Sequence, residues 1–175
     1  MKNLYLLIFS ILLLSSCKKN EEQLFEMAYE FDVIFEAGLT QFQVHFIDTY
    51  ALDTRLNELL AASGRSRSEI SSIVPKSAEM INLQTSVALD FIQDISFRVF
   101  DGSQFTPEEM LNIQEVFFRD NLPQDQRTFI DLLPALPDVK DYLLEDKFNI
   151  GVRVQLRAPP PSTVDARVRI KFAAQ

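Results

Sequence analysis

Nucleophilic and metal chemistry draw on a short list of side chains, and this chain holds few of them. There is one histidine, His45, and one cysteine, Cys17. A serine nucleophile would need His45 as its base, yet no Gly-x-Ser-x-Gly elbow surrounds any serine. A zinc site of His and Cys ligands cannot be assembled from one residue of each. Four glycines, scattered singly, make no phosphate-cradling loop. His45 falls on the polar side of an alternating segment, the usual place of a solvated residue.

Carboxylates are the one plentiful reactive group, and a glycosidase needs only two of them. Glu108 with Glu109, and Asp138 with Asp141, sit where helix starts favour acids in any case. Glu26, Glu30 and Asp32 form the polar half of an alternating strand. Trp, the usual sugar-stacking platform, is absent. Calcium would need oxygen ligands in an acidic loop, and Asp120, Asp125 and Asp131 flank a proline-containing connection. Their spacing matches no EF-hand loop. The expectation is therefore no catalytic residue, no metal and no cofactor.

Cys17 has a more specific context. Lys2 precedes an apolar run, Leu4 to Leu14, interrupted only by Ser10, and Ser15-Ser16-Cys17 follow. A positive start, a short apolar core and small residues before a cut site make a secretory signal, too short to span a bilayer. The ending Leu14-Ser15-Ser16-Cys17 resembles the lipobox of bacterial lipoproteins. That resemblance implies cleavage before Cys17, acylation of its sulfur, and residence in the cell envelope at the outer membrane. The membrane is then a partner through the acyl chains on Cys17, and no thiol is left for a disulfide. On this reading residues 1–16 are the signal, 17–23 a lipidated tether and 24–175 the domain. Lys18, Lys19, Glu21 and Glu22 resemble a surface-export signal interrupted by Asn20, and a plain solvated linker is the preferred reading.

Removing the signal leaves 159 of 175 residues and takes the formal charge from −8 to −9, because only Lys2 is lost. Such acidity argues against nucleic acid as a partner. From Lys147 onward there are six basic residues and one acid, a balance of +5, so Cys17 to Asp146 carries −14. That tail is either a patch for anionic lipid or glycan, or one strand of a sheet matched to an acidic neighbour, and the second reading is preferred.

The pattern along the chain is mostly of period two. Phe25, Met27, Tyr29, Phe31, Val33 and Phe35 share one face of a strand. Phe42, Val44 and Phe46 are expected inward on the next. Leu52, Leu56, Leu59 and Leu60 have helical spacing, with Gly64 as the stop. Arg65 to Ser72 reads as a loop or one loose helical turn. Strands are expected over 73–83 and 94–101, and at 128–132. Thr106-Pro107-Glu108-Glu109 has the form of a helix start, and 114–118 fits helix or strand. Asp138 can cap a short turn of helix. Phe148 to Leu156 and Val164 to Phe172 alternate cleanly around a stiff Pro159-Pro160-Pro161 connection and read as a closing hairpin.

Strands with polar outer faces and few helices between them predict a mainly β fold, an antiparallel β-sandwich with one or two short helices. Its first and last strands should lie in one sheet, acids beside arginines. Three functions fit: a non-enzymatic, lipid-anchored binding or structural module with an envelope protein or glycan as partner; a two-carboxylate glycan hydrolase; or an accessory subunit that joins an envelope complex by strand addition.

Overall fold

The computed structural model describes residues 23–84, 87–100, 113–125 and 127–175. Among these residues eight strands carry the fold: β1 (Phe25–Phe35), β2 (Val44–Asp53), β3 (Ile73–Asn82), β4 (Ile92–Phe100), β5 (Glu115–Arg119), β6 (Phe129–Pro134), β7 (Lys147–Leu156) and β8 (Val164–Ala174). Among the described residues two short helices, α1 (Leu56–Ser63) and α2 (Lys140–Leu143), lie in the connections. The expected helix start at Thr106 falls outside the described residues. The ambiguous 114–118 stretch is the strand β5.

All strand pairings are antiparallel, in the order β1-β8-β3-β6-β5-β4-β7-β2. Only the pairs Phe117–Pro134 and Phe118–Leu133 join β5 to β6. At that short rung the sheet folds over, giving an antiparallel β-sandwich of two four-stranded layers, β1-β8-β3-β6 and β5-β4-β7-β2. Proline is tolerated at the end of β6, where few ladder bonds are demanded of it. Aromatic rings tie the layers together. Phe31 meets Phe97 at 6.2 Å between ring centroids, Phe117 meets Phe172 at 5.6 Å, and Tyr29 meets Phe148 at 4.9 Å. Such tilted and edge-on pairs add roughly 0.5–1.5 kcal/mol each beyond the area they bury.

β1 and β8 pair over their whole length, from Phe25–Ala174 to Phe35–Val164, so the first and last strands do share a layer. The closing hairpin does not exist. β7 pairs with β2 and β4, whereas β8 pairs with β1 and β3. The connection from Arg157 to Thr163 crosses from one layer to the other. Three prolines cannot make the tight primed turn that a two-strand hairpin needs, and both strands bury their apolar faces in the same core.

A second correction concerns β2. Val44 and Phe46 were expected inward, but they align with Gln155 and Arg153. His45 and Ile47 align with Val154 and Val152, whose side chains fill the core. Phe42, also expected inward, is 72% exposed. Its backbone is left-handed (φ 64°), and its N–H donates to the Leu156 carbonyl. That conformation breaks the alternation inherited from β1. A one-residue change of phase reverses which face of a strand is buried.

α1 begins four residues later than Leu52 because β2 continues to Asp53. Gly64 closes it in the left-handed region (φ 66°), a position that costs glycine little. Arg67–Glu69 form one 3₁₀ turn with a reciprocal Ser66–Glu69 capping box. Thr54, between β2 and α1, is buried and triply bonded. Its N–H donates to the Asp146 carbonyl (2.9 Å), its hydroxyl to the Glu145 carbonyl (2.7 Å), and its own carbonyl accepts from the Tyr29 hydroxyl (3.0 Å). Thr54→Val keeps the shape and loses the hydroxyl bond. The expected cost is about 1–3 kcal/mol, read as a lower urea midpoint at unchanged slope.

Candidate functional site

The outer face of the β1-β8-β3-β6 layer is a charge ladder. Register places Asp32 beside Arg167, Glu30 beside Arg169 and Glu79 beside both Arg169 and Asp131. Arg167 donates to Asp32 through Nε (2.8 Å) and Nη2 (3.1 Å). Arg169 reaches Glu30 at 2.7 Å and Glu79 at 3.3 Å. Glu26 lies 2.8 Å from Lys171 and 2.7 Å from Lys76. The basic tail is therefore matched by the acidic strand β1, as preferred from sequence, at least for the part of it in β8. Exposed pairs of this kind contribute little singly, about 0–1 kcal/mol.

These bonds hold the Glu26 carboxyl below its ordinary range, first through Lys171 and then Lys76. Arg167 does the same for Asp32. A carboxyl depressed on folding stabilises the fold fully above the unfolded range of about pH 4–4.5 and ceases to do so as pH falls through its folded value. Stability should therefore decline below about pH 4.5, and the E26Q/D32N double variant should show a shallower decline in acid urea titrations. Parallel curves for the two proteins would show that the ladder contributes nothing.

His45 sits at the rim of the sandwich, half-buried, its Nε2 2.7 Å from the Thr40 carbonyl. A carbonyl can only accept, so Nε2 carries the proton and is engaged in closing the loop before β2. Among the described residues no serine is hydrogen-bonded to the ring.

The other acids are dispersed, apart from one cluster. Asp125 is bound by Arg127, and Asp131 belongs to the ladder face beside Glu79. Glu108 and Glu109 are outside the described residues. Asp138 and Asp141 do come together, with Glu145, around a cavity of about 680 Å³. Its remaining wall includes Tyr142, Lys147, Phe148 and Asn149, and Phe100 and Gln114 complete it. Asp138 already has structural work, because its Oδ1 accepts from the N–H groups of Ile73 (2.9 Å) and Lys140 (3.0 Å). It is not the N-cap of α2: Val139 holds that position without a side-chain cap bond, and Asp138, one residue earlier, turns the chain into the helix through its bond to Lys140. Asp141 and Glu145 are exposed. Among the described residues no group of three His, Cys, Asp or Glu side chains is placed to hold a metal ion.

The sequence pattern concealed a buried polar row. Ser96 and Arg98, which alternate along β4 with Ile95, Phe97 and Val99, are only 2% and 9% exposed, and Phe100 in the same phase is 2% exposed. Arg98 donates to the Ile113 carbonyl (3.1 Å) and lies 3.6 Å from Glu115. Burial lowers its pKa while Glu115 opposes the shift. Phe100 was the signal available beforehand, since an aromatic in the polar phase of a strand marks a face that is not simply wet. Tyr29 is half-buried, and that burial pushes its phenol well above the usual tyrosine range.

Strand addition calls for a long, unprotected edge. The edges here are β1, which carries Glu26, Glu30 and Asp32, and β2, which is bulged between Thr49 and Leu52. Among the described residues no helix is long and apolar enough to cross a membrane. No protein-family model matches this chain, and no curated protein resembles it closely enough to count as a relative.

Proposed function

We propose that this chain is a lipoprotein of the bacterial envelope, anchored through acyl chains on Cys17, whose β-sandwich acts as a non-enzymatic binding or structural module. The observation that carries this reading is the ladder of Glu26, Glu30, Asp32 and Glu79 with Arg167, Arg169, Lys171 and Lys76. The most conspicuous charged residues of the sequence spend their bonds on one another, across neighbouring strands, and so support a scaffold. The lipobox-like Leu14-Ser15-Ser16-Cys17 supplies the anchor.

Intact-mass spectrometry of the protein extracted from membranes tests the anchor. The expected species lacks residues 1–16 and carries acyl mass on Cys17; a free thiol at that position overturns the reading. Pull-down of the anchored protein from solubilised envelope tests the module, with a recurring protein or glycan expected.

A two-carboxylate glycan hydrolase is the second reading, favoured by the cavity that gathers Asp138, Asp141 and Glu145. Hydrolysis of envelope glycan that disappears in both D141N and E145Q, with folding intact, would establish it over the first.

A further inference from the structure

We infer that the end of the sandwich at which β1 begins lies against the lipid surface, and that Leu136 makes contact with it. This rests on the anchored reading proposed above and adds the orientation and the contacting side chain. The placement follows from four hydrogen bonds. Leu24 N–H donates to the Ala174 carbonyl (2.8 Å), and Ser71 N–H to the Gln175 carbonyl (2.6 Å). Ile73 N–H donates to Asp138 Oδ1 (2.9 Å), and Val139 N–H to the Ile73 carbonyl (2.8 Å). The start of β1, the end of β8, the start of β3 and the connection over 135–139 therefore share one end of the molecule.

Leu136 stands out there. It is 94% exposed, the most exposed large apolar side chain among the described residues. Its connection is pinned on both sides, by Ala135 N–H to the Val116 carbonyl (2.9 Å) and by Val139 to Ile73, and Pro137 stiffens it. A leucine held rigidly in water has no role in this core, whereas it suits a lipid interface.

Chain length selects the bilayer as the occupant. Cys17 and Gln23 are six residues apart, which reach at most about 22 Å when fully extended. Gln23 is itself held on the domain, its Oε1 accepting from Lys76 Nζ at 3.0 Å. The opposite end, at Phe35, Val164 and Leu83, is roughly 33 Å further along β1 at the rise of an extended strand. An acylated Cys17 thus keeps the β1 start near the lipid and the far end away from it. Lying flat on the β1-β8-β3-β6 layer would press the charge ladder against the bilayer, which desolvation disfavours.

The test uses the native acylated chain, where acylation of Cys17 leaves an introduced cysteine as the only free thiol. L136C and L83C are each labelled with a polarity-sensitive fluorophore and reconstituted on phosphatidylcholine–phosphatidylethanolamine vesicles. The expected result is loss of iodide quenching at position 136, with quenching by headgroup-labelled lipid there, and full iodide access at position 83. Vesicle flotation with equal iodide access at both positions overturns the orientation while the anchor stands. Failure of the chain to float overturns the anchor and the orientation together.

Discussion

Phe172→Ala is expected to lower the free energy of unfolding by about 3–5 kcal/mol, the range for deleting a fully buried aromatic side chain. Phe172 has no solvent exposure, and its ring meets Phe117 of the opposite layer at 5.6 Å and Tyr29 of its own layer at 6.2 Å. The loss has two parts, the apolar area returned to water and the cavity left between two layers that cannot close on it. Domains of this size are stable by only about 5–15 kcal/mol, so this one change removes a large fraction. Urea unfolding checks it, with a lower midpoint at unchanged slope. Phe129→Ala is the control, because Phe129 is half exposed and should cost no more than about 0.5 kcal/mol. Equal effects of the two substitutions would contradict the core described above.

The second large effect is on location. With residues 1–16 replaced by an ordinary cleavable secretory signal, Cys17→Ala is expected to move the protein from the membrane to the soluble fraction. Acyl chains contribute roughly 0.8 kcal/mol for each buried methylene, and more than one chain is needed to hold a protein firmly. Leu136 cannot substitute for them, since burying one leucine is worth only about 1.5–3 kcal/mol. Fractionation followed by an alkaline wash reads the outcome. A Cys17→Ala protein that still sediments with membranes would show that something other than the acyl chains retains it.

Period-two patterning located β1, β7 and β8 closely, because each buries one face against a single core. It also gave the β1–β8 partnership, since complementary charges at Glu30, Asp32, Arg167 and Arg169 carry information about a neighbour as well as about burial. The same pattern misled at β2. Alternation is defined only up to its phase, and the left-handed Phe42 resets that phase between strands. It misled again at the closing pair, because two apolar faces meeting across a core and two paired within a sheet have the same alternation. A bond from Asp138 to the backbone at the start of α2 was legible from its position, although Val139 takes the cap itself. The gathering of Asp138 and Asp141 with Glu145 beside Phe148 was not, since it depends on how β3, α2 and β7 converge.

The sequence by itself determined the class of fold, the acid–base matching of its outer strands and, through the residues ending at Cys17, the expectation of a lipid anchor. Each of these is written in local periodicity or in one short motif. Only the tertiary structure decided that β7 and β8 belong to opposite layers, that Ser96 and Arg98 are buried, and that Leu136 stands at the same end as the start of β1. Those facts arise from contacts between segments far apart in the chain, set by where the whole sheet folds over at the β5–β6 rung, and no local pattern encodes that fold.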